Sequence, residues 1–286
     1  MTRAAGDVTK GRLEELLVSA LLAPRSRTTP AVLAYHHVGP PGEQRDRALT
    51  ISGDRFAEQM DWLVGHGYRG LGASTWLDGV AGKGPLPSRP VVLTFDDGYA
   101  DLAEHALPVL ERRSFGATVF VVTGLLGASN EWDHASGRAH YSLLTMDAIR
   151  EWAARGIEFG AHTRTHPRLV GLGSNDLEPE ILGSRNDLAE ILGRVPRTFA
   201  YPYGDADASA TRLVSSLFEI AFTADEGRNG PGRSRHALRR TGVLEVDSSV
   251  DLALRLQLGW TPRHRVRQRI RRRLGRLRRR LLHSRR

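Results

Sequence analysis

Cysteine is absent from the 286 residues. Disulfides and thiolate metal sites are therefore excluded, and any bound metal has to be held by His, Asp or Glu. Long apolar runs are missing as well. No segment approaches the roughly 18–20 apolar residues of a membrane-spanning helix. The apolar stretch Leu16 to Leu22 is short, follows Glu14 and Glu15, and has no small-residue cleavage site after it. It reads as an amphipathic helix, not a secretory signal, and the resulting expectation is a cytoplasmic protein. No internal repeat is visible. Acids are missing from one region: 13 of the 41 Lys and Arg residues lie from Arg263 onward, with no Asp or Glu among them. Residues 1–262 then hold 28 basic against 32 acidic side chains, so the overall charge of +9 hides a mildly acidic body. Arguments about polyanions belong to the tail alone.

What is present suffices for a sizeable core, with 40% hydrophobic and 26% charged residues. Residues 1–29 read as a helix and linker, 30–262 as one catalytic domain, and 263–286 as a basic tail. Within the body, short apolar runs alternate with helical patterns. Strands are expected at Ala31 to Tyr35, near Tyr68 to Leu71, and at Val91 to Phe95, Ala117 to Val122, Glu219 to Thr223 and Ala237 to Leu244, with Ile157 to Ala161 leading into His162 and a further apolar run from Thr198 leading into Tyr201-Pro202-Tyr203-Gly204. Ser52 and Thr145 are placed to cap helices. The alternation implies an α/β fold of parallel strands with right-handed crossovers. His36, Asp96, Asp97, His162 and Tyr203 each fall just past the apolar part of a strand. In a β/α barrel that is the C-terminal mouth, where sites are assembled.

Val91 to Phe95 runs into Asp96-Asp97-Gly98. The turn chemistry of Asp-Gly explains the glycine. Two acids at a strand end can also divide labour, one holding a metal and the other moving a proton. His162 and His166 are four apart, which puts both imidazoles on one face if the segment turns helically. With one carboxylate they make a His₂Asp set that leaves positions open for water and substrate.

Thr94-Phe95-Asp96-Asp97-Gly98, His162-Thr163-Arg164-Thr165-His166 and Tyr201-Pro202-Tyr203-Gly204, in that order, resemble the polysaccharide deacetylase family, the NodB homology domain of carbohydrate esterase family 4. The resemblance spans roughly Ala31 to Val243. It implies a deformed (β/α) barrel of about seven strands and metal-dependent removal of N-acetyl groups from a glycan. By matching position, Asp97, His162 and His166 would hold the metal and Asp96 would be the base. The backbone N–H of Tyr203 would stabilise the oxyanion. Zinc suits such a set first, with cobalt, nickel and iron as alternatives.

Two departures from the family pattern stand out. The Leu-x-His motif that many members carry near the last strands is absent from Ala237 to Val243. Instead, Tyr35-His36-His37-Val38 ends the first strand, which is similar to the branch that deacetylates poly-N-acetylglucosamine. That makes His36 the candidate acid, the alternative being that one of His36 and His37 merely packs or caps a loop, with His236 a weaker contender. The usual base-orienting Arg of the third motif is Ala200 here, and Arg240 either reaches in from a neighbouring strand end to pair with Asp96 or is a surface arginine of a basic chain. Trp132 either walls a sugar site or packs on the barrel.

In 263–286, Val266, Ile270, Leu274, Leu277 and Leu281 share a helical face among the arginines. Such a pattern suits an anionic membrane surface, here the inner face, better than nucleic acid. Two further readings stay open: the same metal site acting on a non-sugar linear or cyclic amide, and a non-catalytic barrel serving a membrane- or nucleic-acid-binding tail.

Overall fold

The computed structural model describes residues 14–22, 26–40, 49–134 and 139–262. After a helix at residues 14–21 (α1), the chain runs through β1 (Ala31–Tyr35), β2 (His37–Val38), β3 (Thr50–Ile51), α2 (Gly53–Gly65), β4 (Arg69–Leu71), α3 (Ala73–Val80) and β5 (Pro90–Phe95). A π turn (Leu102–Ala106) passes into α4 (Leu107–Arg112). Then come β6 (Thr118–Val121), α5 (Glu131–His134), α6 (Met146–Ala154), β7 (Glu158–Ala161) and α7 (Ser174–Leu192). The body ends with β8 (Thr198–Ala200), α8 (Ala208–Leu217), β9 (Ile220–Phe222), β10 (Thr241–Gly242) and α9 (Ser249–Leu258). The expected caps form: Ser52 accepts from the Arg55 N–H and Thr145 from the Ala148 N–H. Among the described residues no helix is long and apolar enough to cross a membrane.

Seven parallel strands follow one another in the order β10-β1-β5-β6-β7-β8-β9, with β4 beside the lower half of β5. The sheet curls into a deformed barrel. The seam lies in the segment expected as a last strand from Ala237 to Leu244, which is not continuous. Leu238 bridges Phe222 of β9, and Thr241 and Gly242 then pair with Leu33 and Ala34 of β1. Side chains interrupt the ladder there: Asn229 accepts from the Arg239 N–H and donates to its carbonyl, and the Arg240 N–H turns to the Asp225 carbonyl.

The two faces of the strands divide by parity. Odd-numbered Leu33, Tyr35, Val91, Leu93 and Phe95 pack outward in one cluster with helix residues such as Phe56, Met60 and Leu252. Even-numbered Val32, Val92, Phe120, Ala200 and Phe222 fill the interior, with Trp76 among them. Each such side chain contributes about 1.5–3 kcal/mol on burial. Gly160 of β7 makes the interior possible, because a Cβ there would lie 2.5 Å from Phe120 Cε1 and 2.5 Å from Thr198 Oγ1.

Candidate active site

The inward parity of a strand, carried one step past its end, selects what reaches the mouth. Val32 and Ala34 lead to His36, Val92 and Thr94 to Asp96, and Gly160 to His162. Asp97 would face away by that rule. It adopts a left-handed conformation, φ 71°, followed by Gly98 at φ 72°. The chain therefore turns at once, and both acids enter the same mouth. Gly98 is required twice over, since a Cβ there would also sit 2.8 Å from Val121 Cγ1.

Asp97 Oδ1 lies 3.4 Å from His162 Nε2 and 3.4 Å from His166 Nε2. These distances are long for charge-assisted hydrogen bonds. They match the edge of a tetrahedron whose metal–ligand bonds are about 2.0–2.1 Å, which is roughly 3.3–3.4 Å. The three donors are buried and lie within 4.8 Å of one another, so the set fits a metal ion. His162 Nδ1 is 2.7 Å from the Ala200 carbonyl, the second partner a metal-binding imidazole commonly has. Burial drives the His166 pKa down to about 3, which keeps its nitrogens available as donors. Burial also pushes Asp97 up, yet the His162 hydrogen bond and both imidazoles outweigh it and hold the carboxylate ionised.

The histidine spacing works differently from the helical turn expected. Residues 162–166 form a loop in which Thr163 (φ 67°) and His166 (φ 63°) are both left-handed. The buried Thr163 hydroxyl donates to the His162 carbonyl at 2.5 Å and accepts from the His166 N–H at 3.0 Å.

Arg240 meets Asp96 through both guanidinium nitrogens, Nη1 to Oδ1 at 2.5 Å and Nη2 to Oδ2 at 2.7 Å. Its Nε donates to the Thr223 carbonyl at 3.0 Å, which fixes the fork. Burial raises Asp96, but the Arg240 charge and hydrogen bonds more than compensate, leaving its pKa below the usual carboxylate range. His36 Nε2 lies 3.8 Å from Asp96 Oδ2. Burial lowers the His36 pKa by more than Asp96 and Asp97 raise it.

The adjacent histidines His36 and His37 thus part ways. His37 turns outward, bonds Asp101 at 2.7 Å and stacks on Tyr99. His236 is placed away from the mouth: its Nε2 is 2.9 Å from the carbonyl of Phe218, before the start of β9. Tyr203, at φ 58° in the turn after β8, sets its ring 4.7 Å from His166 and beneath the Arg168 guanidinium. Trp132 on α5 packs against the core and lays its ring 4.6 Å from that of His166.

Sequence reasoning missed Glu180 and Asp187 on α7. Glu180 accepts from the Arg164 and Thr165 N–H groups at 2.9 Å each and from the Thr165 hydroxyl at 2.7 Å. Asp187 accepts from Arg164 Nε and the Thr123 hydroxyl, both at 2.8 Å. Their spacing of seven, two helical turns, was the available signal.

Comparison with known proteins gives a consistent result. A sequence model described as polysaccharide deacetylase matches residues 83–218. That span holds Asp96, Asp97, His162, His166 and Tyr203 but neither His36 nor Arg240. YxkH of Bacillus subtilis, whose name assigns it to the polysaccharide deacetylases, is 26% identical over 217 residues, 74% of this chain and 70% of that protein. The poly-β-1,6-N-acetyl-D-glucosamine N-deacetylase of Staphylococcus aureus is 26% identical over 201 residues, 67% of each chain. Among solved structures, the Streptococcus pyogenes deacetylase PplD in complex with acetate superposes with a TM-score of 0.70 at 24% identity, covering 82% of this chain and 99% of its own.

Proposed function

Because the chain belongs to the polysaccharide deacetylase family, we propose that it hydrolyses the N-acetyl amide of an amino sugar within a glycan, using a divalent metal held by Asp97, His162 and His166. The observation that carries this is the convergence of those three donors beside an ionised Asp96 clamped by Arg240. A metal bound there supplies a Lewis acid that polarises the amide carbonyl and lowers the pKa of water. Zinc is the first candidate, ahead of cobalt, nickel and iron.

Asp96 takes a proton from the attacking water as its oxygen bonds to the carbonyl carbon. Arg240 keeps Asp96 charged and fixes its plane for this step. The backbone N–H of Tyr203 donates to the developing oxyanion, an interaction of about 3 kcal/mol in comparable sites. His36 gives the proton that the departing nitrogen needs as the C–N bond breaks, so that acetate and a free amine leave. The rings of Tyr203 and Trp132, against His166, form one wall for the sugar. The likeness to a deacetylase of poly-β-1,6-N-acetyl-D-glucosamine supports an N-acetylglucosamine polymer, oligomer or lipid-linked form as substrate. The arginine-rich residues 263–286 are proposed to hold the enzyme at an anionic membrane surface.

The test is an acetate-release assay across N-acetylated amino-sugar oligomers and polymers, with metal content measured in parallel. Asp96→Asn is expected to keep its metal and lose about 10²–10⁴-fold in turnover. Protein that neither carries nor takes up a divalent metal would end this reading.

A further inference from the structure

The two imidazoles of the proposed metal site are not supported alike. His162 has the Ala200 carbonyl on its Nδ1. Among the described residues the buried Nδ1 of His166 has no hydrogen-bond partner, so none of them sets the angle of its ring through its second nitrogen. Its direction has to come from its backbone and from the rings around it. That backbone is left-handed at His166 and at Thr163, conformations that branched and bulky residues hold only when their surroundings impose them.

What imposes them comes from α7. Glu180 occupies two successive backbone N–H groups and one hydroxyl between the histidines, at Arg164 and Thr165. Seven residues on, Asp187 takes the Arg164 side chain through both oxygens, Nε to Oδ2 and Nη2 to Oδ1. It also takes the Thr123 hydroxyl after β6. The loop is closed from the other side by the Thr123 N–H to the Thr163 carbonyl and the Gly124 N–H to the Arg164 carbonyl. Gly124 permits that approach, since a Cβ there would lie 2.7 Å from the Arg164 oxygen.

We infer that Glu180 and Asp187 are positioning residues for metal binding: two carboxylates on one face of α7 that hold the loop between His162 and His166 in the shape that aims His166 at the metal. The inference rests on the metal site proposed above. Neither residue touches the three donors. Their effect is on the geometry of the loop and hence on metal affinity before it is on turnover.

The experiment uses the full chain stripped of metal and titrated with Zn²⁺ in chelator competition and with Co²⁺ by visible absorption. Glu180→Ala is expected to weaken Zn²⁺ binding about 10–100-fold, the range typical of outer partners of metal ligands, and to alter the Co²⁺ spectrum. Glu180→Gln, which keeps an acceptor oxygen, should fall between wild type and Glu180→Ala. Asp187→Asn should weaken Zn²⁺ binding and, with Glu180→Gln, carries the test if Glu180→Ala fails to fold. Leu188→Val, a core change on the same helix, should lower the thermal midpoint of the metal-free protein and leave Zn²⁺ affinity unchanged. Zn²⁺ affinities of the Glu180 and Asp187 variants within twofold of a metal-binding wild type would overturn this inference alone. A wild type that binds neither metal would overturn the metal site, and this inference with it.

Discussion

Asp96 is buried as an ion, and Arg240 is what makes that burial tolerable. A buried carboxylate stripped of its counter-ion costs several kcal/mol. Here both oxygens meet guanidinium nitrogens, and the Arg240 side chain is 3% exposed. Arg240→Gln is therefore expected to cost about 3–5 kcal/mol in urea unfolding and to depress acetate release. Adding Asp96→Asn should restore part of that stability, because neither partner is then a lone charge. A double variant no more stable than Arg240→Gln would show that the pair is not what holds these residues. Both partners were legible in the sequence, Asp96 from the strand it ends and Arg240 from the missing arginine at Ala200. Asp97 was legible as a candidate metal ligand by its place in the motif, but the turn of its backbone was not. Asp tolerates the left-handed region better than most residues, yet the sequence does not say that this Asp adopts it. Nor does it say so of Thr163 and His166, which is why a helical turn was the natural expectation for that spacing.

At the scale of elements, the barrel interior depends on a small residue in β7. Gly160→Ala would push a methyl against Phe120 and Thr198, an overpacking expected to cost about 1–3 kcal/mol by thermal or denaturant unfolding. Phe120 also lies under Arg240, with the guanidinium 5.8 Å from its ring, so acetate release should drop along with stability. Unchanged stability would mean that the interior has slack. Strands β1, β5 and β6 were readable because each is an apolar run bounded by turn residues. The seam at 237–242 was not, because its continuity is decided by partners on two other strands and by Asn229. The role of α7 was hidden for a related reason: Glu180 and Asp187 look like ordinary exposed acids until the loop they serve is folded onto them.

For the molecule as a whole, charge is divided between an acidic body and a basic tail, and the tail lies outside the described residues. The sequence spacing of its apolar residues among 13 arginines leads to the prediction of salt-sensitive adsorption to anionic vesicles. The full chain should partition onto vesicles rich in anionic lipid, and a chain ending at Pro262 should stay in solution. Equal partitioning of the two would dispose of the membrane proposal. The barrel has a different consequence. Its seam brings Arg240 to a carboxylate 144 residues earlier in the chain. A ribosome adding about 5–20 residues/s delivers the arginine some 7–30 s after the aspartate has emerged. Through that interval the nascent chain carries Asp96 without the guanidinium that meets both of its oxygens in the folded protein. The buried ion pair can therefore close only near the end of synthesis, when β10 docks beside β1.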